Sequence, residues 1–147
     1  MQRFKFNLEN LLKVRSMHEE QAQLHLAHSI KLLENEQLRL KELSQFAATA
    51  REEWQQALQK SRPVDDYILY SSYFKNLTVQ QDLQQLEIEK AVQFNNECRL
   101  AYYEALKKRK IVERLKEKKR QLHYQAMLAE EQKFLDELGT QRYHREM

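Results

Sequence analysis

Apolar positions recur every three or four residues over most of the chain. From Leu26 a stripe passes through Ile30, Leu33, Leu40, Leu43, Ala47, Ala50, Trp54 and Ala57, the spacing of a buried helical seam. Asn7 stands ahead of it as a candidate N-cap, with Leu8, Leu11 and Leu12 opening the stripe. One step is missing at Gln37, and the interval from Leu40 to Leu43 departs from strict alternation, which predicts a locally altered supercoil. Arg15 and His18 interrupt the seam near its start, where looser packing is expected.

A second stripe reads Val79, Leu83, Leu86, Phe94, Cys98, Ala101, Ala105, Val112, Leu115, Leu122, Ala126 and Ala129. Lys90, Lys108 and Lys119 fall in or near its register and weaken it. Between the stripes lies the one convincing break, Ser61-Arg62-Pro63-Val64-Asp65-Asp66. Proline removes a helical donor and biases the residue before it away from the helical region. Asp65 is placed to cap the next helix, and Asp66 suits its positive end. Gly139 is the expected C-terminal stop. The pattern predicts an all-α fold, a long antiparallel two-helix coiled-coil hairpin in a single domain. Helix 1 is expected over about 7–61, a bend over about 62–65, helix 2 over about 66–138, and a frayed tail over 139–147. In that hairpin Phe4 lies opposite a residue near Gln121.

Composition narrows the alternatives. One Gly and one Pro in 147 residues exclude sandwiches, barrels and doubly wound sheets, whose many turns need such residues. Charged residues make up 32%, hydrophobic residues 41%, and the mean hydropathy is −0.87. That is too polar for a compact globule and too rich in Leu and aromatics for a disordered chain. Apolar runs stop at two or three residues, so no membrane-spanning segment is expected. No signal-peptide core is evident, and the early glutamates argue against a mitochondrial presequence. Cys98 has no partner for a disulfide, which points to a reducing compartment.

No catalytic constellation emerges. A single glycine excludes the phosphate-binding and nucleophile-elbow motifs. His25 and His28 could share a helical face, but no further ligands accompany them, so ordinary polar positions are the better reading. Cys98 reads as a small buried hydrophobe. The chain is expected to be no enzyme and to need no cofactor or metal.

Charge is distributed unevenly. Lys107–Arg120 holds nine basic and two acidic residues, and hairpin geometry sets this run beside Arg3, Lys5, Lys13 and Arg15. Such a surface draws acidic partners or phosphate. A protein-docking surface is the preferred reading, ahead of a merely solvated face and of nucleic acid, since the leucine repeat after the run fails after Leu122. Aromatics cluster after the bend at Tyr67, Tyr70, Tyr73 and Phe74, followed by Leu77. They read as a packed cap near Trp54. A two-helix pair cannot cover them all, and Tyr73 falls outside the strict seam, so Tyr70, Tyr73, Phe74 and Leu77 are candidates for a partner surface.

The opening Arg3–Gln23, the segment YILYSSYFKNL over Tyr67–Leu77, the run ALKKRKIVERLKEK over Ala105–Lys118 and the EQKFLDEL of Glu131–Leu138 together resemble the FliJ family. That family is the small coiled-coil component of the bacterial flagellar type III export apparatus. The resemblance spans nearly the whole chain and rests on the order and spacing of these motifs. It implies a cytoplasmic hairpin similar to the central stalk of rotary ATPases. Such a stalk inserts into a hexameric export ATPase and promotes its assembly. It also contacts the cytoplasmic domain of the export gate at the inner-membrane face and handles export chaperones. The implied ATPase contacts are Leu8, Leu11, Leu12, Lys110, Arg114, Lys118, Phe134 and Leu138. The implied gate contact uses Tyr70, Tyr73, Phe74 and Leu77. The competing readings are the equivalent injectisome stalk or another coiled-coil adaptor and, behind these, a nucleic-acid binder.

Overall fold

The computed structural model describes residues 3–147. It contains two helices, α1 (Glu9–Ala57) and α2 (Val64–Glu146), paired as an antiparallel hairpin, with no strand among the described residues. The chain divides into two compact units. One comprises residues 22–102 and contains the bend. The other comprises, among the described residues, 3–21 and 103–147.

At the bend, α1 stops at Ala57, ahead of the expected 61, and α2 begins at Val64 instead of 66. The last turn of α1 tightens: Leu58 N–H donates to Trp54 C=O at 2.9 Å, then Gln59 to Gln56 at 3.3 Å and Lys60 to Ala57 at 3.4 Å. These shorter loops satisfy carbonyls that the helix leaves open. Pro63, not Asp65, takes the capping position, its carbonyl accepting from Asp66 N–H at 3.1 Å. Asp65 and Asp66 therefore occupy the first turn of α2, where the helix dipole favours carboxylates. Arg62 links the two helix termini. Its Nε donates to Ala57 C=O at 3.1 Å, and Nη1 lies 3.6 Å from the Asp66 carboxylate.

In the unit that holds the bend, the least exposed positions of α1 are Ala22, Leu26, Ser29, Leu33, Glu36, Leu40, Leu43, Ala47, Ala50, Trp54 and Ala57. Steps of four and three alternate without interruption, so the supercoil alteration expected at Leu40–Leu43 is absent. Glu36 fills the step missing at Gln37, and Ser29 stands where Ile30 was expected. On α2 the matching positions are Tyr70, Phe74, Leu77, Gln81, Gln84, Ile88, Ala91, Asn95, Cys98 and Tyr102. Val79, Leu83, Leu86 and Phe94, assigned to the seam from the sequence, are exposed. The packing of Ala47, Ala50 and Leu77 with Phe74 sets the helical phase at the bend, and an undistorted helix carries that phase onward.

Polar residues hold seam positions because they are satisfied across it. Ser29 is 0% exposed. Its hydroxyl donates to Leu26 C=O at 2.7 Å and accepts from Asn95 Nδ2 at 3.1 Å. Arg99 completes the layer by donating to Asn95 Oδ1 at 3.3 Å. Gln84 Nε2 donates to Glu36 C=O at 3.0 Å and also to the Glu36 carboxylate. Among the described residues no buried side-chain nitrogen or oxygen lacks a partner, as packed interiors require.

In the other unit, α1 begins at Glu9 and not at Asn7. The Asn7 Oδ1 expected to cap it accepts from Lys119 Nζ at 3.3 Å. Phe6 is buried, and Phe4 stacks obliquely on His123, with centroids 5.5 Å apart. Leu8, in the turn before α1, and Leu12, Arg15 and Glu19 on α1 face the seam, and Ala105, Arg109, Val112 and Lys116 face it from α2. Arg15 thus lies in the register it was expected to interrupt. Ala101 in the first unit and Leu115, Leu122, Ala126 and Ala129 here are exposed, another consequence of the shifted phase.

Helix α2 runs through Gly139 to Glu146, past the expected end at Leu138, so residues 139–146 of the expected frayed tail are helical and only Met147 lies beyond the helix. One glycine in a helix costs about 1 kcal/mol and does not stop it where no proline follows. Thr140 Oγ1 donates to Asp136 C=O at 2.9 Å and Gln132 Nε2 to Asp136 Oδ1 at 3.1 Å. Gly139 has no positive φ, and a Cβ built there meets nothing within 4 Å. Gly139→Ala should therefore stabilise the last turns of α2 by about 0.5–1 kcal/mol. Amide exchange should slow over residues 139–146. Unchanged or faster exchange would show that these turns are not helical in solution.

Candidate functional site

Two sets of surface residues carry distinctive chemistry, one in each unit. In the unit with the bend, Trp54 on α1 stacks on Tyr70 of α2 with centroids 4.0 Å apart and planes at 26°. Tyr67 meets the same indole edge-on at 5.2 Å. Phe74 continues the row at 6.3 Å from Tyr70 and packs on Ala47, Ala50 and Leu77. Of the four residues singled out from the sequence, Leu77 is 6% exposed and belongs to the core, while Tyr70 and Phe74 are half-buried in the stack. Tyr73 is 38% exposed and touches Phe74 edge-on at 5.9 Å. It is the residue of the four that a partner can reach most fully.

Other apolar residues of this unit reach solvent, and sequence reasoning passed over them. Ile68 and Leu69 are exposed beside the aromatic row, and Phe46 is exposed on α1. Phe46 directly precedes the seam residue Ala47, as Tyr73 precedes Phe74. Positions that precede corresponding seam residues flank an antiparallel seam on one side, so Phe46 and Tyr73 share a flank. Counting heptads back from the seam would have found this flank.

In the other unit the basic run separates into two groups. Arg109, Lys116 and Lys119 are engaged within the molecule. Arg109 binds Glu19 across the seam and Glu113 along its own helix. Lys116 Nζ lies 2.9 Å from the Glu9 carboxylate. Lys119 also sits over the Phe6 ring, 5.9 Å from its centroid. The hydrogen bond to Glu19, opposed by partial desolvation and aided by both carboxylate charges, raises the pKa of Arg109 above the ordinary arginine value, so the guanidinium stays charged. Lys110, Arg114 and Lys118 are exposed and make no ion pair among the described residues. Their spacing of four sets them on one outward side of α2.

The remaining residues singled out in this unit are placed as follows. Leu8 and Leu12 are half-buried against α2, Leu11 is at the surface, and Phe134 and Leu138 are exposed on the last turns of α2. An open groove lined by Arg3, Phe4, Lys5, Lys119, Leu122 and His123 adds cationic character. The unit as a whole carries sixteen basic against eleven acidic residues, while the unit with the bend carries nine against eleven. His25 and His28 are exposed, and no three His, Cys, Asp or Glu side chains among the described residues are grouped to hold a metal ion. No helix among the described residues is long and apolar enough to cross a membrane.

The family model described as Flagellar FliJ protein matches residues 4–147. No curated protein sequence matches the chain. Among solved structures, one described as a YscO homolog, CT670 from Chlamydia trachomatis, is similar with a TM-score of 0.64 and 17% identity. The match covers 97% of this chain and 96% of that one. At that identity the likeness speaks to the fold.

The aromatic row predicts a graded response to truncation. Leu77→Ala should lose about 2–5 kcal/mol, as buried leucines do. Tyr73→Ala should lose no more than the roughly 0.5–1.5 kcal/mol of an edge-on ring pair. Urea denaturation of both variants checks the ordering, and equal losses would place Tyr73 in the core.

Proposed function

The chain belongs to the flagellar FliJ family, and from that premise we propose that it is a non-enzymatic stalk of the type III export apparatus. In this reading it binds the hexameric export ATPase through the unit with the basic run, and the cytoplasmic domain of the export gate through the aromatic flank near the bend. Binding to the gate places it at the cytoplasmic face of the inner membrane. The same exposed surfaces receive emptied export chaperones.

The observation that carries this reading is the separation within the basic run. Arg109, Lys116 and Lys119 are engaged internally, whereas Lys110, Arg114 and Lys118 are exposed and make no ion pair among the described residues. Exposed unpaired cations contribute little to the fold, so a partner is the economical reason for a row of them. They suit an acidic protein surface, where charge complementarity sets association rate and orientation. Leu11, Phe134 and Leu138 supply apolar contact area in the same unit. Tyr73, with Phe46 on its flank, supplies an aromatic anchor of the kind that concentrates binding energy.

Changing Lys110, Arg114 and Lys118 together to Glu should reduce stimulation of the export ATPase at least about tenfold, an electrostatic loss on the scale of 1.4 kcal/mol or more. Helicity and melting should stay near those of the parent, because none of the three is in an internal pair. Tyr73→Ala should lose affinity for the gate domain and keep ATPase stimulation. Full stimulation by the triple variant removes the ATPase surface from the proposal, and normal gate affinity of Tyr73→Ala removes the gate surface.

A further inference from the structure

We propose that the two buried polar layers of the seam, Ser29 with Asn95 and Glu36 with Gln84, are a register lock that stops α1 and α2 from sliding past one another by a heptad. The two members on α1 are seven residues apart and the two on α2 are eleven apart. Apart from Gln81 and Tyr102, the seam between and beside these layers is built of Ala, Leu, Ile and Cys, side chains that pack acceptably against one another in more than one alignment. An apolar heptad repeat of that kind selects its register weakly, and a polar seam residue selects it strongly.

The unequal spacing makes the lock work in both directions. A slide of one heptad one way can carry Glu36 to Asn95, but it sets Gln84 against Leu43 and Ser29 against Tyr102. The opposite slide can carry Gln84 to Ser29, but it sets Asn95 against Ala22. Either slide leaves at least one buried amide, Gln84 or Asn95, facing an apolar residue in the seam. A buried amide or carboxylate that loses its partner carries its full desolvation penalty, so both alternatives are disfavoured. Ser29 tightens the device because its hydroxyl is already committed to Leu26 C=O and can only accept from Asn95. Arg99 holds the Asn95 carbonyl oxygen and thereby turns its amide nitrogen toward Ser29. The bend, with Pro63 and the Trp54–Tyr70 stack, is the competing source of register.

Spin labels at Gln45 and Gln93, exposed positions on α1 and α2, report the alignment in a Cys98→Ala background. Seven residues advance a helix by about 10 Å, so a slid population shifts the interlabel distance by several ångströms. The parent should give one narrow distance by pulsed electron resonance. The variant Ser29→Ala, Glu36→Leu, Gln84→Leu, Asn95→Leu should stay helical and show a second, displaced distance. The reciprocal variant Ser29→Asn, Asn95→Ser keeps a polar pair in one layer and should return the single parent distance. If the apolar variant keeps that single distance, the bend alone sets register and the proposal fails. It also fails if the apolar variant loses its helical signal, or if the reciprocal variant shows a second distance.

Discussion

Each seam residue in a two-helix pair meets one neighbouring helix and, beyond it, water. That restriction governs everything else here. A polar side chain at the seam has no third element to turn to, so its partner must come from the facing helix or from its own. The structure meets this condition at each polar seam position where burial is deep. Ser29 and Asn95 satisfy each other, Gln84 reaches Glu36, and Arg109 reaches Glu19. These pairs permit steps of four and three to continue where an apolar residue is missing, and no stutter is needed.

The helices and the bend were legible because they rest on scarce residues and a simple period. One proline between two apolar stripes left few alternatives. The phase of α2 was not legible by following the most hydrophobic residues. Leu83, Leu86 and Phe94 outrank Gln84, Ala91 and Asn95 on any transfer scale, yet they lie outside. The correct phase was present in Cys98, Ala105 and Val112, which were read as seam. Counting back from Cys98 in sevens gives Ala91, Gln84 and Leu77, all of them buried or half-buried. The end of α2 misled for a different reason. Gly139 resembles a stop only when a left-handed conformation follows, and here the helical hydrogen bonds simply continue past it.

The same phase decides which chemistry faces outward. Nine basic residues in a run of fourteen look alike in the sequence, but the seam takes Arg109 and Lys116 for internal pairs and leaves Lys110, Arg114 and Lys118 exposed. The aromatic row divides in the same manner. Phe74 and Leu77 are a heptad's two seam positions, and Tyr73, one residue earlier, stands on the flank. The candidate surfaces could be located to a segment from sequence, but the partition of each segment into packing residues and presenting residues required knowing which positions the partner helix covers.

Leucines outside and amides inside are an inversion of the cheapest arrangement. A phase that buried Val79, Leu83 and Leu86 would remove more apolar surface from water, at about 1.5–3 kcal/mol for each such side chain. The observed phase forgoes that gain because it is fixed where packing is densest, at Ala47, Ala50, Leu77 and the Trp54–Tyr70 stack. There the small alanines on α1 admit large side chains from α2. Once that contact is made, helical geometry determines which face of each later turn points inward, and residues such as Gln84 and Asn95 are carried inward whether or not they are apolar. The hydrogen bonds across the seam are what make this assignment tolerable. They convert the burial of Ser29, Gln84 and Asn95 from a destabilising mismatch into a condition that only one alignment of the two helices can meet.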